Sequence, residues 1–286
     1  MKLRFSSMLA IWVAAAIAGF AQAPSLEWPK TIEAGRSFSV STAGDGKAVL
    51  YIVGPGQALR RDVQLGQKIV LAAGEIHNAG HYSALLVGPS STQTADFDVT
   101  ASQTSNLSFL AKPSRLPVDL HDGISGVVYV FDAFQNLVLT STEVSFELSE
   151  GGGATQTRTA STHYGAAWVR LDSAPKSGVA QFLARAGNIV ERRVVQEVPG
   201  DPCSLRMSAR RSGTLIELET EPLRDCKGNA VPDGTIVTFT ERSNGTESTV
   251  DVPLKRGVAR TNLPASDGAT ISVATGVVMG NEIRWP

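Results

Sequence analysis

The sequence predicts an all-β protein: three tandem β-sandwiches behind a cleaved signal peptide. Three observations carry that prediction. Apolar residues almost nowhere recur at helical spacing. Short alternating runs separated by Gly, Pro, Asn, Asp and Ser replace them, the mark of half-buried strands joined by turns. A strand-and-turn pattern also occurs twice, as Asp132-Ala-Phe-Gln-Asn136-Leu-Val138 followed by Val144-Ser-Phe146, and as Asp225-Cys-Lys-Gly-Asn229-Ala-Val231 followed by Val237-Thr-Phe239. Five of these positions coincide at an offset of 93, and Gly165, Ala167 and Leu171 recur as Gly257, Ala259 and Leu263 at an offset of 92. A period that long with β texture inside it is one sandwich per repeat, not one solenoid turn. Finally, 286 residues accommodate two ordinary domains or three small sandwiches.

Residues 1–23 read as a secretory signal. Lys2 and Arg4 supply a basic start, Met8 to Phe20 an apolar run, and Ala21-Gln-Ala23 the small-x-small cleavage pattern. The run is shorter than the roughly 20 residues that span a bilayer, and no Cys follows Ala23 to take a lipid. The exported chain is expected in the periplasm or outside the cell. Without this segment, which holds two basic residues and no acid, 24 basic residues face 27 acidic ones, a charge of about −3. That balance excludes a nucleic-acid binder, which needs a concentrated basic face. With no second long apolar stretch, no transmembrane segment is predicted in the mature chain.

The first sandwich is expected over 24–101. Phe38/Val40, Leu50/Ile52, Ile69/Leu71, Tyr82/Ala84/Leu86 and Phe97/Val99 each point one way. Gly44-Asp-Gly46, Gly54-Pro-Gly56, Gly74, Asn78-Ala-Gly80 and Gly88-Pro89 punctuate them. Gly80-His-Tyr82-Ser-Ala84 resembles the tyrosine corner of immunoglobulin-like folds, where a Tyr hydroxyl bonds back to the corner backbone. Ala84 stands where such domains carry a cysteine, so no inter-sheet bridge is expected. A polar stretch, 101–106, reads as a linker. The second sandwich is expected over 102–198, with strands near 107–111, 127–131, 144–148, 155–159, 166–171, 179–184 and 189–195. Pro199 and Pro202 interrupt any ladder there. The third sandwich, 199–286, has strands expected near 205–209, 215–220, 236–240, 248–252, 258–263 and 269–274. Gly228-Asn229 and Asn244-Gly245 supply its turns.

The pattern Asp225-x-x-Gly228-Asn229-x-Val231-x-x-Gly234-x-x-Val237-x-Phe239, then Gly257-x-Ala259-x-x-x-Leu263, resembles the bacterial immunoglobulin-like repeats of the invasin and intimin group. The resemblance is strongest over 203–286. The second sandwich keeps Asp132, Asn136, Val138, Val144, Phe146 and Gly165 but lacks the glycine matching Gly234, and the first lacks the motif. No outer-membrane barrel or receptor-binding cap of the family's adhesins is visible. The resemblance implies immunoglobulin-like folds and a spacer, adhesion or interaction role at the cell envelope, with a protein or glycan partner. The motif itself reads as structural: Asp132, Asn136, Asp225 and Asn229 close Asx-type turns, Gly257 recurs with the motif, and Val237 and Phe239 fill a core at strand period.

Candidate chemistry is sparse. Cys203 is expected to open one strand and Cys226 to follow the next, which puts both at one sandwich end and predicts a disulfide in an oxidising compartment. Closing that separation stabilises by roughly 3 kcal/mol in the chain-entropy model. His77-x-x-x-His81 has zinc-pair spacing, but Asn78-Ala-Gly80 breaks the helix that such a pair needs. His121 and His163 sit beside turn residues without a visible catalytic partner. No G-x-S-x-G elbow occurs. Gly151-Gly-Gly153 precedes a Thr-rich strand, so it reads as a hairpin and not a phosphate cradle. Asn106-Leu-Ser108 and Asn244-Gly-Thr246 match glycosylation sequons that carry little meaning in a bacterial chain. Trp28, Trp168 and Trp285 are the candidates for stacking on sugars. The expectation is a non-enzymatic protein without cofactor or metal, with a polysaccharide-binding accessory protein as the alternative.

Overall fold

The computed structural model describes residues 26–89, 91–150 and 155–286, so the expected signal peptide and the expected Gly151–Gly153 hairpin lie outside the described residues. The chain divides into two units, Met1–Ser102 and Gln103–Pro286. Every regular element among the described residues is a β-strand, and no helix there is long and apolar enough to cross a membrane.

The first unit contains β1 (Leu26–Glu27), β2 (Thr31–Glu33), β3 (Phe38–Thr42), β4 (Lys47–Gly54), β5 (Gln57–Gln64), β6 (Lys68–Leu71), β7 (Gly80–Val87) and β8 (Thr92–Thr100). They form a three-stranded sheet, β1-β3-β6, and a five-stranded sheet, β2-β8-β7-β4-β5. Val40, Leu71, Leu50, Ile52, Tyr82, Leu86 and Phe97 are buried between the two. The Tyr82 hydroxyl lies 2.9 Å from the Asn78 carbonyl, the corner geometry, and 2.8 Å from Gln57 Oε1. The alternation in sequence does not reveal β5. It is an edge strand whose residues alternate between half-buried and exposed, and Arg60, Arg61 and Asp62 give it no apolar stripe.

The second unit holds two sandwiches. One contains β9 (Asn106–Lys112), β10 (Arg115–Pro117), β11 (Ile124–Phe131), β12 (Glu143–Glu150), β13 (Thr155–Ser161), β14 (Ala166–Leu171), β15 (Gly178–Ala186) and β16 (Ile189–Val198). Its sheets are β14-β11-β9 and β10-β16-β15-β12-β13. Phe109 of one sheet meets Phe182 of the other edge-on, with centroids 5.0 Å apart, and Phe146 tilts against both. This cluster explains Gly126: a Cβ there would lie 2.6 Å from the Phe182 ring. Burying each Phe contributes about 1.5–3 kcal/mol.

The other sandwich contains β17 (Met207–Ser212), β18 (Leu215–Thr220), β19 (Ile236–Ser243), β20 (Thr246–Pro253), β21 (Arg260–Pro264), β22 (Thr270–Thr275) and β23 (Val278–Arg284). Its sheets are β17-β18-β21 and β20-β19-β22-β23. Ile216, Leu218, Val237, Phe239, Ile271, Val273 and Trp285 fill its core. The sequence reading lacks β23, because Gly280 and Asn281 interrupt its pattern. Gly280 is required there, since a Cβ would lie 2.5 Å from Val273 and 2.7 Å from the Leu205 carbonyl.

Candidate functional site

The repeated motif builds the same loop twice. After β11, Asp132 Oδ1 accepts the N–H groups of Phe134 and Asn136, each at 2.8 Å, and Oδ2 accepts Asn136 Nδ2 at 2.9 Å. After β18, Asp225 Oδ1 accepts the N–H groups of Lys227 (2.9 Å) and Asn229 (2.8 Å), and Oδ2 accepts Asn229 Nδ2 at 2.9 Å. A buried carboxylate thus satisfies loop N–H groups that a strand ladder would otherwise serve. The fourth residue is left-handed in both loops, Gln135 at φ 66° and Gly228 at φ 82°. Burial opposes ionisation of Asp225, but bonds from Asn229, Gly200 and Lys227 outweigh it and hold the carboxyl below the usual range. Val144, Phe146, Val237 and Phe239 have no exposed surface. Gly257 (φ 77°) follows Arg256 (φ 55°) in a two-residue turn whose Gly257 N–H bonds to Asp233 at 3.0 Å.

In the third sandwich this loop also fastens two sandwiches together. Asn229 Nδ2 donates to the Pro175 carbonyl at 3.0 Å, and Asn229 Oδ1 accepts the Ser177 N–H at 3.0 Å. Lys227 pairs with Asp119 at 3.0 Å, and Asp225 Oδ2 accepts the Gly200 N–H at 3.1 Å. The receiving loop is itself braced: the Ala174 N–H bonds to buried Glu197, and the Ser173 N–H to the Leu120 carbonyl. Cys203 and Cys226 form a disulfide with a Cα–Cα distance of 4.6 Å. Cys203 does not open a strand. It lies ahead of β17, with its N–H bonded to the Arg224 carbonyl, so the bridge ties the connecting segment to the motif loop.

The histidines separate. His77 Nδ1 lies 2.9 Å from Gln57 and from the Gly74 carbonyl, whereas His81 Nδ1 lies 3.0 Å from Asp98. His163 stacks on Tyr164. His121 does gain partners that spacing could not show, since Asp172 is remote in sequence. His121 Nδ1 lies 2.8 Å from Asp172, and the ligand atoms of His121, Asp122 and Asp172 fall within 4.8 Å of one another. These three could offer a metal donor set. The Asp122 N–H and His121 already occupy Asp172 Oδ1, and that N–H bond is the main cause holding the Asp172 carboxyl low.

The three candidate tryptophans divide. Trp285 is 7% exposed within the third core, and Trp28 packs against Phe38 and Phe97, with centroids 5.6 and 5.0 Å away. Both are fillers, the commoner role of a single tryptophan in a sandwich. Trp168, 65% exposed, stands on the outer face of β14-β11-β9. Strand register sets it in a row with Val127 and Leu110, beside a second row of Arg170, Ser125 and Lys112. In the third sandwich the matching rows are Arg260, Glu219 and Ser208, and Asn262, Glu217 and Arg210. There Arg260 bonds Glu219 at 2.7 Å, and Arg210 bonds Glu217. Elsewhere, a cleft of about 490 Å³ over β4, β5 and β7 is lined by Lys47, Asp62, Gln64, Val87 and Pro89.

No protein-family model matches the sequence, and no curated protein does. Solved structures do match. FdeC, an Escherichia coli adhesin, aligns over 91% of this chain and 95% of its own at 14% identity, with a TM-score of 0.59. InvD of Yersinia pseudotuberculosis aligns over 92% and 97% at 13% identity, with a TM-score of 0.50. The chain therefore shares the fold of these structures, tandem immunoglobulin-like β-sandwiches.

Proposed function

We propose that the chain is an exported, non-enzymatic protein of the bacterial cell envelope that works as a spacer and as an adhesion or interaction module. The observation that carries this reading is the engagement of the motif. The polar groups of Asp225 and Asn229 are taken up in closing a loop and joining two sandwiches, not in facing a substrate. The adhesin-type fold supports the same reading, and the basic start, apolar run and Ala21-Gln-Ala23 of residues 1–23 support export. An immunoglobulin-like scaffold presents loops, edges and sheet faces to partners while its cores hold them in place.

Beads coated with the exported chain test the reading on bacterial and epithelial cell surfaces. Retention several-fold above albumin-coated beads is the expected result. Absence of retention would overturn the module reading, and a hydrolytic activity abolished by changing one cluster such as His121 and Asp172 would overturn the non-enzymatic one. Fractionation tests export separately: an unprocessed chain confined to the cytoplasm defeats that part.

A further inference from the structure

The outer face of β14-β11-β9 differs from its counterpart in a way that stability does not require. Side chains directly opposite on neighbouring strands stand about 5 Å apart, so Trp168, Val127 and Leu110 form a continuous apolar row. Trp168 is 65% and Leu110 49% exposed, and Tyr129 in the adjoining row is exposed too. In the third sandwich the same positions hold Arg260, Glu219 and Ser208, and the sheet closes equally well. An apolar row where the fold accepts an ion pair marks a binding surface.

Charge narrows the ligand. Lys112 and Arg170 flank the row from the two outer strands, and neither makes an ion pair among the described residues. No outward residue of β9, β11 or β14 is Asp or Glu, although the chain carries 27 acidic residues. In the third sandwich Arg210, at the position of Lys112, is neutralised by Glu217, and Arg260, at the position of Trp168, by Glu219. Size narrows it further. Three strands and three rows measure about 10 by 14 Å between backbone centres, the footprint of a few sugar rings. An indole offers a flat face to the C–H side of a pyranose, and the two cations stand where acid groups on adjacent rings would lie.

We propose that this face binds an anionic glycan chain, with Trp168 as the stacking platform and Lys112 and Arg170 holding its acid groups. The assignment rests on the adhesion-module reading and names its ligand class. Titration of the exported chain with a galacturonate hexamer, a heparin-derived hexasaccharide and neutral maltohexaose, read by isothermal titration calorimetry, tests it. At least one acidic oligosaccharide binds at least tenfold more tightly than maltohexaose, and its affinity falls as salt rises. Trp168→Ala and Lys112→Glu/Arg170→Glu each weaken binding tenfold or more while the melting temperature stays at the wild-type value. No binding of any acidic oligosaccharide, equal binding of the neutral one, or binding indifferent to both variants overturns the proposal. The bead assay separates the two readings. Retention on cells without glycan binding removes the glycan and keeps the module, and loss of that retention in Trp168→Ala then assigns the face to a protein. Beads retained nowhere remove the module whatever the titration shows.

Discussion

The second and third sandwiches share a loop, a core position and a turn almost atom for atom, yet differ on one sheet face and in one covalent bond. Asp132 and Asp225 gather the same N–H groups, and Phe146 and Phe239 fill equivalent interiors. The face row of Trp168, Val127 and Leu110 became Arg260, Glu219 and Ser208, and Ala133 stands where the third sandwich has Cys226. Interiors repeat because close packing and unsatisfied N–H groups penalise change. Faces diverge because only solvent or a partner constrains them.

That comparison can be broken most forcefully in the cores. Phe146→Ala and Phe239→Ala should each cost their own sandwich about 3–5 kcal/mol. Hydrogen exchange at the core-strand amides of each sandwich under increasing denaturant measures this. Strongly unequal losses would show that the two interiors are not equivalent. The staple comes next. Cys203→Ser/Cys226→Ser should weaken the third sandwich by about 3 kcal/mol and leave the second unchanged; an equal loss in both would mean that the bridge acts through the joint.

Asn229→Ala should cost about 1–2 kcal/mol through its lost bonds to Pro175 and Ser177. Hydrogen exchange should quicken at the Ser177 amide, and an unchanged rate there would deny the joint. Acid sharpens the same contrast. Asp225 and Asp233 sit below the usual carboxylate range when folded, so their contribution is complete above the unfolded value near 4. It disappears as pH falls through their lower folded values. The melting temperature of the third sandwich should therefore fall as the pH drops below about 4, and this fall should shrink in Asp225→Asn. The smallest effect belongs to the faces: Glu219→Val/Arg260→Trp, which grafts the apolar row, should leave the melting temperature within a few degrees, because an exposed ion pair contributes little.

Period-two alternation exposed long strands with one dry face, such as β12, where Val144 and Phe146 point inward. It passed over β5, whose two faces are both partly wet, β23, interrupted by Gly280 and Asn281, and β1, β2 and β10, whose two or three residues are too few to show a period. The recurrence of Asp and Asn with fixed spacing was enough to read a turn, because the bonds involved span only two to four residues. Asn229 reaching Pro175, and His121 reaching Asp172, span more than 50 residues in sequence, and no local pattern encodes them.

Composition and period alone determined the β class, the repeat, the turn chemistry and the pairing of two lone cysteines, since each depends on neighbours along the chain or on there being no other choice. Which tryptophan faces water, which asparagine holds a second sandwich and which cations stand without a carboxylate were decided only in three dimensions. Those properties depend on what the opposite strand or the adjacent sandwich places nearby, and strand order carries that information where sequence order does not.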